Sequence, residues 1–171
     1  MEAKKRNILI VILALTVLAC ATAVLAFINK PAETAVSGSV AIKSGGETVR
    51  TYTMDDLMVL DCVEVQKEIV SSSFANDEGL FRGVALRVLL ADAGIDLESS
   101  SQIIVRAEDG FVSAFPADEI TESDGIFLAF SKNGEGLGSL DSGGSGPFRI
   151  IVSDDPFGNR CAKYVCEIEV K

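Results

Sequence analysis

The 171-residue chain contains no histidine and no tryptophan, and aromatic residues make up only 6% of it. Without imidazole, histidine-based triads, zinc sites with histidine ligands, haem with an axial histidine and the usual neutral-pH proton shuttles are excluded. Cysteine is scarce as well. Of four, Cys20 lies inside a hydrophobic run, which leaves Cys62, Cys161 and Cys166 for chemistry or pairing. Basic charge is also short: after Ile28 there are 12 Lys and Arg against 24 Asp and Glu, so 12 − 24 = −12. That balance argues against a nucleic-acid partner and against adhesion to anionic lipid, both of which need clustered cations. The chain has no internal repeat, and no Gly-x-x-x-x-Gly-Lys or Gly-x-Gly-x-x-Gly phosphate loop.

What is present starts at the N-terminus. Residues 1–7 form a basic tip with Lys4, Lys5 and Arg6, followed by an uncharged run from Ile8 to Ile28. At about 1.5 Å rise per residue, a helix over 8–28 spans the roughly 30 Å hydrocarbon core of a bilayer. The basic cluster on its N-terminal side keeps Met1 in the cytoplasm and exports the rest. The expectation is an uncleaved signal anchor: a single-pass transmembrane helix in the cell membrane, with the remainder extracytoplasmic. A cleaved signal peptide with Ala21-Thr22-Ala23 at the cleavage site stays open. So does a lipoprotein signal with Val17-Leu18-Ala19 before Cys20. Against both, hydrophobic residues continue to Ile28. Residues 29–38, with Pro31 and Ser37-Gly38, read as a linker, and 39–171 as one domain of ordinary size.

Within that domain, Ser39–Lys43 and Thr48–Tyr52 flank a Ser44-Gly45-Gly46-Glu47 turn and predict a hairpin. Thr53 with Asp56 three residues on predicts a capped helix start. Cys62–Val70 alternates, with Val63, Val65 and Ile69 on one face, and predicts a half-buried strand. Ser71–Leu80 reads as a polar loop. Gly83-Val84-Ala85-Leu86 opens a second helix, with Leu86, Leu89, Leu90 and Ala93 on one stripe and Gly94 as its stop. Gln102–Ala107 and Phe111–Phe115 predict a hairpin across Glu108-Asp109-Gly110, then one helical turn over Pro116–Ile120. Ile126–Ser131 reads as a strand ending in the Asn133-Gly134 turn. The glycine-rich stretch from Gly134 to Gly146 reads as a flexible surface loop rather than an anion cradle. Phe148–Val152 and Cys161–Val170 are the last strands. This order predicts an α+β fold, a mixed, mostly antiparallel sheet with two or three short helices.

Seven fragments in this order carry a resemblance: Tyr52-Thr53-Met54-Asp55-Asp56-Leu57, Phe81-Arg82-Gly83-Val84-Ala85-Leu86 with Leu89-Leu90 and Ala93-Gly94, Ala107-Glu108-Asp109-Gly110-Phe111, Gly146-Pro147-Phe148-Arg149, Gly158-Asn159-Arg160, Lys163-Tyr164 and Glu167-Ile168-Glu169-Val170. From about Val40 to Lys171 the chain resembles the molybdopterin-binding domain of the sulfite oxidase family in its compact bacterial and archaeal form. The resemblance implies that Arg160 and Lys163 face the pterin, with Arg149 and Asn159 beside them. It also implies a metal-ligating cysteine on the loop after the Cys62–Val70 strand. Here that loop reads Ser71-Ser72-Ser73-Phe74, and a serine hydroxyl is a far poorer donor to molybdenum than a thiolate. Glycines and Ser145 also stand where the family often has a histidine before its Gly-Pro-Leu-Arg segment.

Each of these residues has a plainer reading. Arg160 and Lys163 read equally well as solvated charges at a strand start, and Arg149, between Phe148 and Ile150, as a structural residue. Asp55/Asp56, Asp118/Glu119 and Asp154/Asp155 read as capping and turn residues rather than acid–base pairs. If the last strand is extended from Cys161, Cys161 and Cys166 lie on opposite faces and too far apart for a disulfide. Cys166 is then a buried thiol, and Cys161 a thiol sharing its face with Lys163 near the cofactor mouth. The leading expectation is a ligand-binding or interaction module without molybdenum redox activity, taking an anionic small molecule or pterin, or a membrane protein as partner. The alternatives are a molybdopterin-dependent oxidoreductase, alone or as a subunit of a membrane electron-transfer complex, and a purely structural surface domain.

Overall fold

The structure, a computed structural model, describes residues 12, 13, 15–22, 38–70 and 76–171. The chain divides into two units, Met1–Thr34 and Ala35–Lys171. In the first, residues 12, 13 and 15–22 are helical. Among the described residues no helix is long and apolar enough to cross a membrane. The described helical stretch covers about half of a bilayer core at ~1.5 Å per residue. Both ends of the expected 8–28 anchor, and most of the 29–38 linker, lie outside the described residues.

The second unit is α+β, built on two five-stranded sheets. The first begins with a hairpin, β1 (Ser39–Ser44) and β2 (Glu47–Thr53). Its turn needs two glycines, since Gly45 and Gly46 both have positive φ. The central strand β10 (Val165–Val170) runs parallel to β1 and antiparallel to β5 (Gln102–Ala107), which pairs in turn with β6 (Val112–Pro116). β10 carries Ile168 into the core, while the buried Glu167 and Glu169 face the other way. Lys43, Arg106 and Lys171 neutralise those two carboxylates across three strands.

The second sheet holds β3 (Cys62–Ile69), β4 (Asp77–Ala85), β7 (Ile126–Lys132), the short β8 (Glu135–Gly136) and β9 (Arg149–Val152), with β8 and β9 sharing one edge of β7. Three short helices fill the connections: α1 (Met54–Met58), α2 (Leu86–Asp92) and α3 (Ala117–Glu122). The expected capping box forms at α1, where Thr53 and Asp56 bond each other's backbone. Gly94 ends α2 at φ 76. Leu86, Leu89 and Leu90 of α2 join Phe81, Phe115, Phe127, Phe148 and Ile168 in one continuous core fed by both sheets.

Three sequence readings are corrected. The polar loop expected to reach Leu80 gives way to β4 from Asp77, and the helix expected from Gly83 starts at Leu86. The inward positions of β4 include Gly79, Phe81 and Gly83, so two of three carry no side chain and the alternation signal is nearly silent. Gly83 is required by contact: a Cβ there would strike the Leu128 backbone and stand 2.6 Å from the Ala129 Cα. The last strand begins at Val165, because Gly158–Arg160 forms a 3-10 turn and Ala162 hydrogen-bonds Ile150 of β9 (2.8 Å). The glycine-rich stretch folds back on itself: Gly144, Ser145 and Gly146 donate to Ser139, Leu137 and Gly138 at 2.7–2.9 Å. Those amides are used internally and are not offered to an anion.

Candidate functional site

The loop from β9 to β10 crosses beside the end of β3, where Gly158 donates to the Val70 carbonyl (3.3 Å) and Phe157 bridges Val70. This crossing, the start of β4 and the end of β7 meet at one corner; Asn159, Arg160 and Lys163 lie on the crossing, and Arg149 reaches the start of β4 from the first position of β9. Asn159 and Lys163 are exposed and have no side-chain hydrogen bond or ion pair among the described residues. Arg160 is committed. Its Nε donates to Asp155 Oδ2 (2.7 Å), its Nη1 to both Glu119 oxygens (2.8 Å each), and its guanidinium lies 5.3 Å from the Phe115 ring centre. The hydrogen bond from Arg160 holds the Asp155 carboxyl below the usual carboxylate range, against partial burial.

Arg149 is 2% exposed on β9. Its Nη1 donates to Asp77 at the start of β4, and Lys132 Nζ donates to the other oxygen of the same carboxylate. Both cations lie near the ring of Phe81, at 5.6 and 5.8 Å from its centre. The Arg149 Nε is buried with no hydrogen-bond partner. Burial pushes the Asp77 carboxyl up, but hydrogen bonds and charge from Lys132 and Arg149 override it and hold it below its ordinary value. Lys67 reaches in from β3 and donates to the Ser153 (2.8 Å) and Asp155 carbonyls.

Sequence reasoning missed Asp77, Lys132, Lys67, Glu119 and Asp155. One signal was there for Lys67: it shares the inward face of β3 with Val63, Val65 and Ile69. Nothing in the spacing joins Glu119 to Arg160, 41 residues apart.

No thiolate is poised here. Burial pushes the Cys161 thiol up by more than the nearby Arg149 and Lys67 charges pull it down. Cys166, also raised by burial, donates to the Arg106 carbonyl (3.5 Å), and Cys62 donates to the Leu60 carbonyl (3.4 Å). Ser71–Ala75 lies outside the described residues, and its sequence holds no cysteine. Both Cys161 and Cys166 are buried free thiols. Alkylation of the native chain is therefore expected to spare both until denaturant is added, with no Cys161–Cys166 crosslink in non-reduced peptide mass spectra. Such a crosslink would show the β9–β10 connection to be built differently.

The carboxylates also set a pH response. Asp77 and Asp155 have depressed folded values, so the stability they contribute is complete above the unfolded carboxylate range, about pH 4. It is lost as pH falls through their lower folded values. Thermal midpoints should thus decline steeply below about pH 4, and the decline should be shallower in Asp155→Asn, which has less to lose. Equal slopes would remove Asp155 from the account.

The fold is shared with known proteins. The family model described as "Oxidoreductase molybdopterin binding domain" matches residues 31–171. Among solved structures, the sulfane dehydrogenase SoxCD from Paracoccus pantotrophus is similar, with a TM-score of 0.61 and 19% sequence identity over 77% of this chain. The match spans only 37% of that chain, so the likeness is one of fold. No curated protein matches.

Proposed function

The chain belongs to the oxidoreductase molybdopterin-binding domain family, and on that premise we propose that it is a membrane-anchored, extracytoplasmic ligand-binding or interaction module without molybdenum redox chemistry. The observation that carries this is the state of its sulfur. The Ser71–Ala75 segment has none, burial pushes the Cys161 and Cys166 thiols up, and Cys62 donates to the Leu60 carbonyl. A metal cycling between oxidation states needs a soft, deprotonated donor, and the residues present do not fit that requirement.

The pterin part of the cofactor meets a second obstacle. Arg160 is held by Glu119 and Asp155, and Arg149 by Asp77. An anionic small molecule or pterin would find Lys163 and Asn159 open at the surface. It would engage Arg160 and Arg149 only in exchange for their carboxylates. The competing reading, a molybdopterin-dependent oxidoreductase or a subunit of a membrane electron-transfer complex, draws on the family match and on the unpartnered Arg149 Nε.

Two measurements test the proposal. Protease added outside intact cells should digest the 39–171 domain while a tag at Met1 stays protected; a soluble mature form starting near Val24, or lipid at Cys20, would replace the anchor with one of its rivals. The full chain in detergent should show no sulfite- or sulfoxide-dependent electron transfer after production in a molybdopterin-making host. Turnover would favour the oxidoreductase.

A further inference from the structure

Two turns of the domain are tied to a single residue, Tyr164. Its carbonyl accepts from the Glu108 amide (2.9 Å) in the turn between β5 and β6. Its hydroxyl donates to the Gly144 carbonyl (2.7 Å) and its amide to Ser145 (3.5 Å), both in the stretch between β8 and β9. Tyr164 sits at φ 56, a left-handed conformation that a bulky residue adopts only where its surroundings hold it. Bonded to both turns, it braces one against the other.

Each turn is also stiff in itself. In the first, Gly110 donates to the Ala107 carbonyl (3.1 Å), Ala107 to the Phe111 carbonyl (3.0 Å) and the Phe111 amide to Asp109 Oδ1 (3.0 Å). In the second, Gly143 donates to the Leu140 carbonyl (3.0 Å) and Gly144 to that of Ser139 (2.9 Å). A Cβ at Gly144 would stand 2.4 Å from the Leu137 carbonyl oxygen, so the two sides of this turn meet backbone to backbone. Yet both turns hold large apolar side chains out to solvent: Phe111 is 41% exposed, Val112 54% and Leu140 44%. Apolar side chains on a backbone that is already ordered lose little further entropy when covered, which is what the anchors of an interface require.

Charge selects what covers them. Glu108, Asp109 and Asp141 are exposed on the same two turns, and none has an ion pair among the described residues. Arg106 is engaged by Glu167 and Glu169, which leaves Lys163 as the exposed cation beside Tyr164. An anionic lipid surface would be repelled by three carboxylates, and two copies meeting here would set those carboxylates against their own images. We infer that Phe111, Val112 and Leu140 form a docking surface for a different protein, whose contact face is apolar at its centre and rimmed by lysine and arginine. The inference rests on the interaction-module reading above and supplies the chemistry of the partner.

The test places a photo-crosslinking amino acid at Phe111, at Leu140 or, as a control, at Val59, an 83% exposed apolar residue that follows α1, each in the full chain in intact cells. Positions 111 and 140 should crosslink to one and the same protein, at a segment where lysine and arginine outnumber acids, and position 59 should not. With that protein purified, Phe111→Ser combined with Leu140→Ser should weaken its binding to the full chain in detergent at least tenfold, at an unchanged thermal midpoint. Crosslinks to lipid, to a second copy or to unrelated proteins from the two turns would overturn the inference, as would equal crosslinking from position 59 or none at all. A single partner captured instead from position 159 would also overturn it while leaving the interaction module standing. Molybdenum-dependent turnover would remove that module by a separate readout.

Discussion

Gly83→Ala is expected to be the most damaging single methyl group in the domain, costing about 3 kcal/mol or more of folding stability. The added Cβ would meet the Leu128 carbonyl and stand 2.6 Å from the Ala129 Cα, and both obstacles are backbone of the neighbouring strand β7. A side chain could rotate away, but a paired strand cannot move without breaking the ladder from Ala129 to Phe127. β4 also carries Asp77 and Phe81, so the corner should fail with the sheet. Gly136→Ala is the control, since nothing lies within 4 Å of its added Cβ and its φ is not in the left-handed region; its midpoint should stay within about 0.5 kcal/mol of wild type. A Gly83→Ala protein that melts like the wild type would show that β4 and β7 are not packed as described.

The second large effect is expected at Asp77→Ala, about 3 kcal/mol, because it strands the buried Arg149 without its counter-ion. For a domain of this size that lowers the thermal midpoint by roughly 6–12 °C. The double variant Asp77→Ala with Arg149→Met should recover most of the loss, since removing both charges leaves no uncompensated ion in the interior. If the double variant is as unstable as the sum of its singles, the two residues are not coupled and the corner is an accident of packing.

Most of the scaffold was legible because its signals are local. The Thr53–Asp56 capping box, the Gly45-Gly46 and Asn133-Gly134 turns and the leucine stripe of α2 each announce themselves within a few residues, and each forms. β4 was illegible for a physical reason: Gly79 and Gly83 serve close approach rather than burial, and a missing side chain leaves no trace in an alternation pattern. The start of β10 was misread because Cys161 and Ala162 are buried through contact with β9, where the Ala162 carbonyl accepts from Ile150, instead of through pairing in the first sheet. At the corner, the cations Arg149 and Arg160 were found through family resemblance, whereas their partners were not. Asp77, Glu119 and Asp155 sit 72, 41 and 5 residues from the arginines they neutralise. Even the near pair, Asp155 with Arg160, read as turn chemistry. Charge pairing across that distance is a property of the fold, and no window of sequence contains it.

Under the proposed function, this member of the family is expected to carry no molybdenum. The full chain should be produced in a host that makes molybdopterin, purified in detergent, and assayed for molybdenum atoms and for oxidised-pterin fluorescence per chain. With no thiolate in Ser71–Ala75 and the corner arginines held by Glu119, Asp155 and Asp77, molybdenum should fall far below one atom per chain. One molybdenum atom per chain, accompanied by stoichiometric pterin, would contradict it.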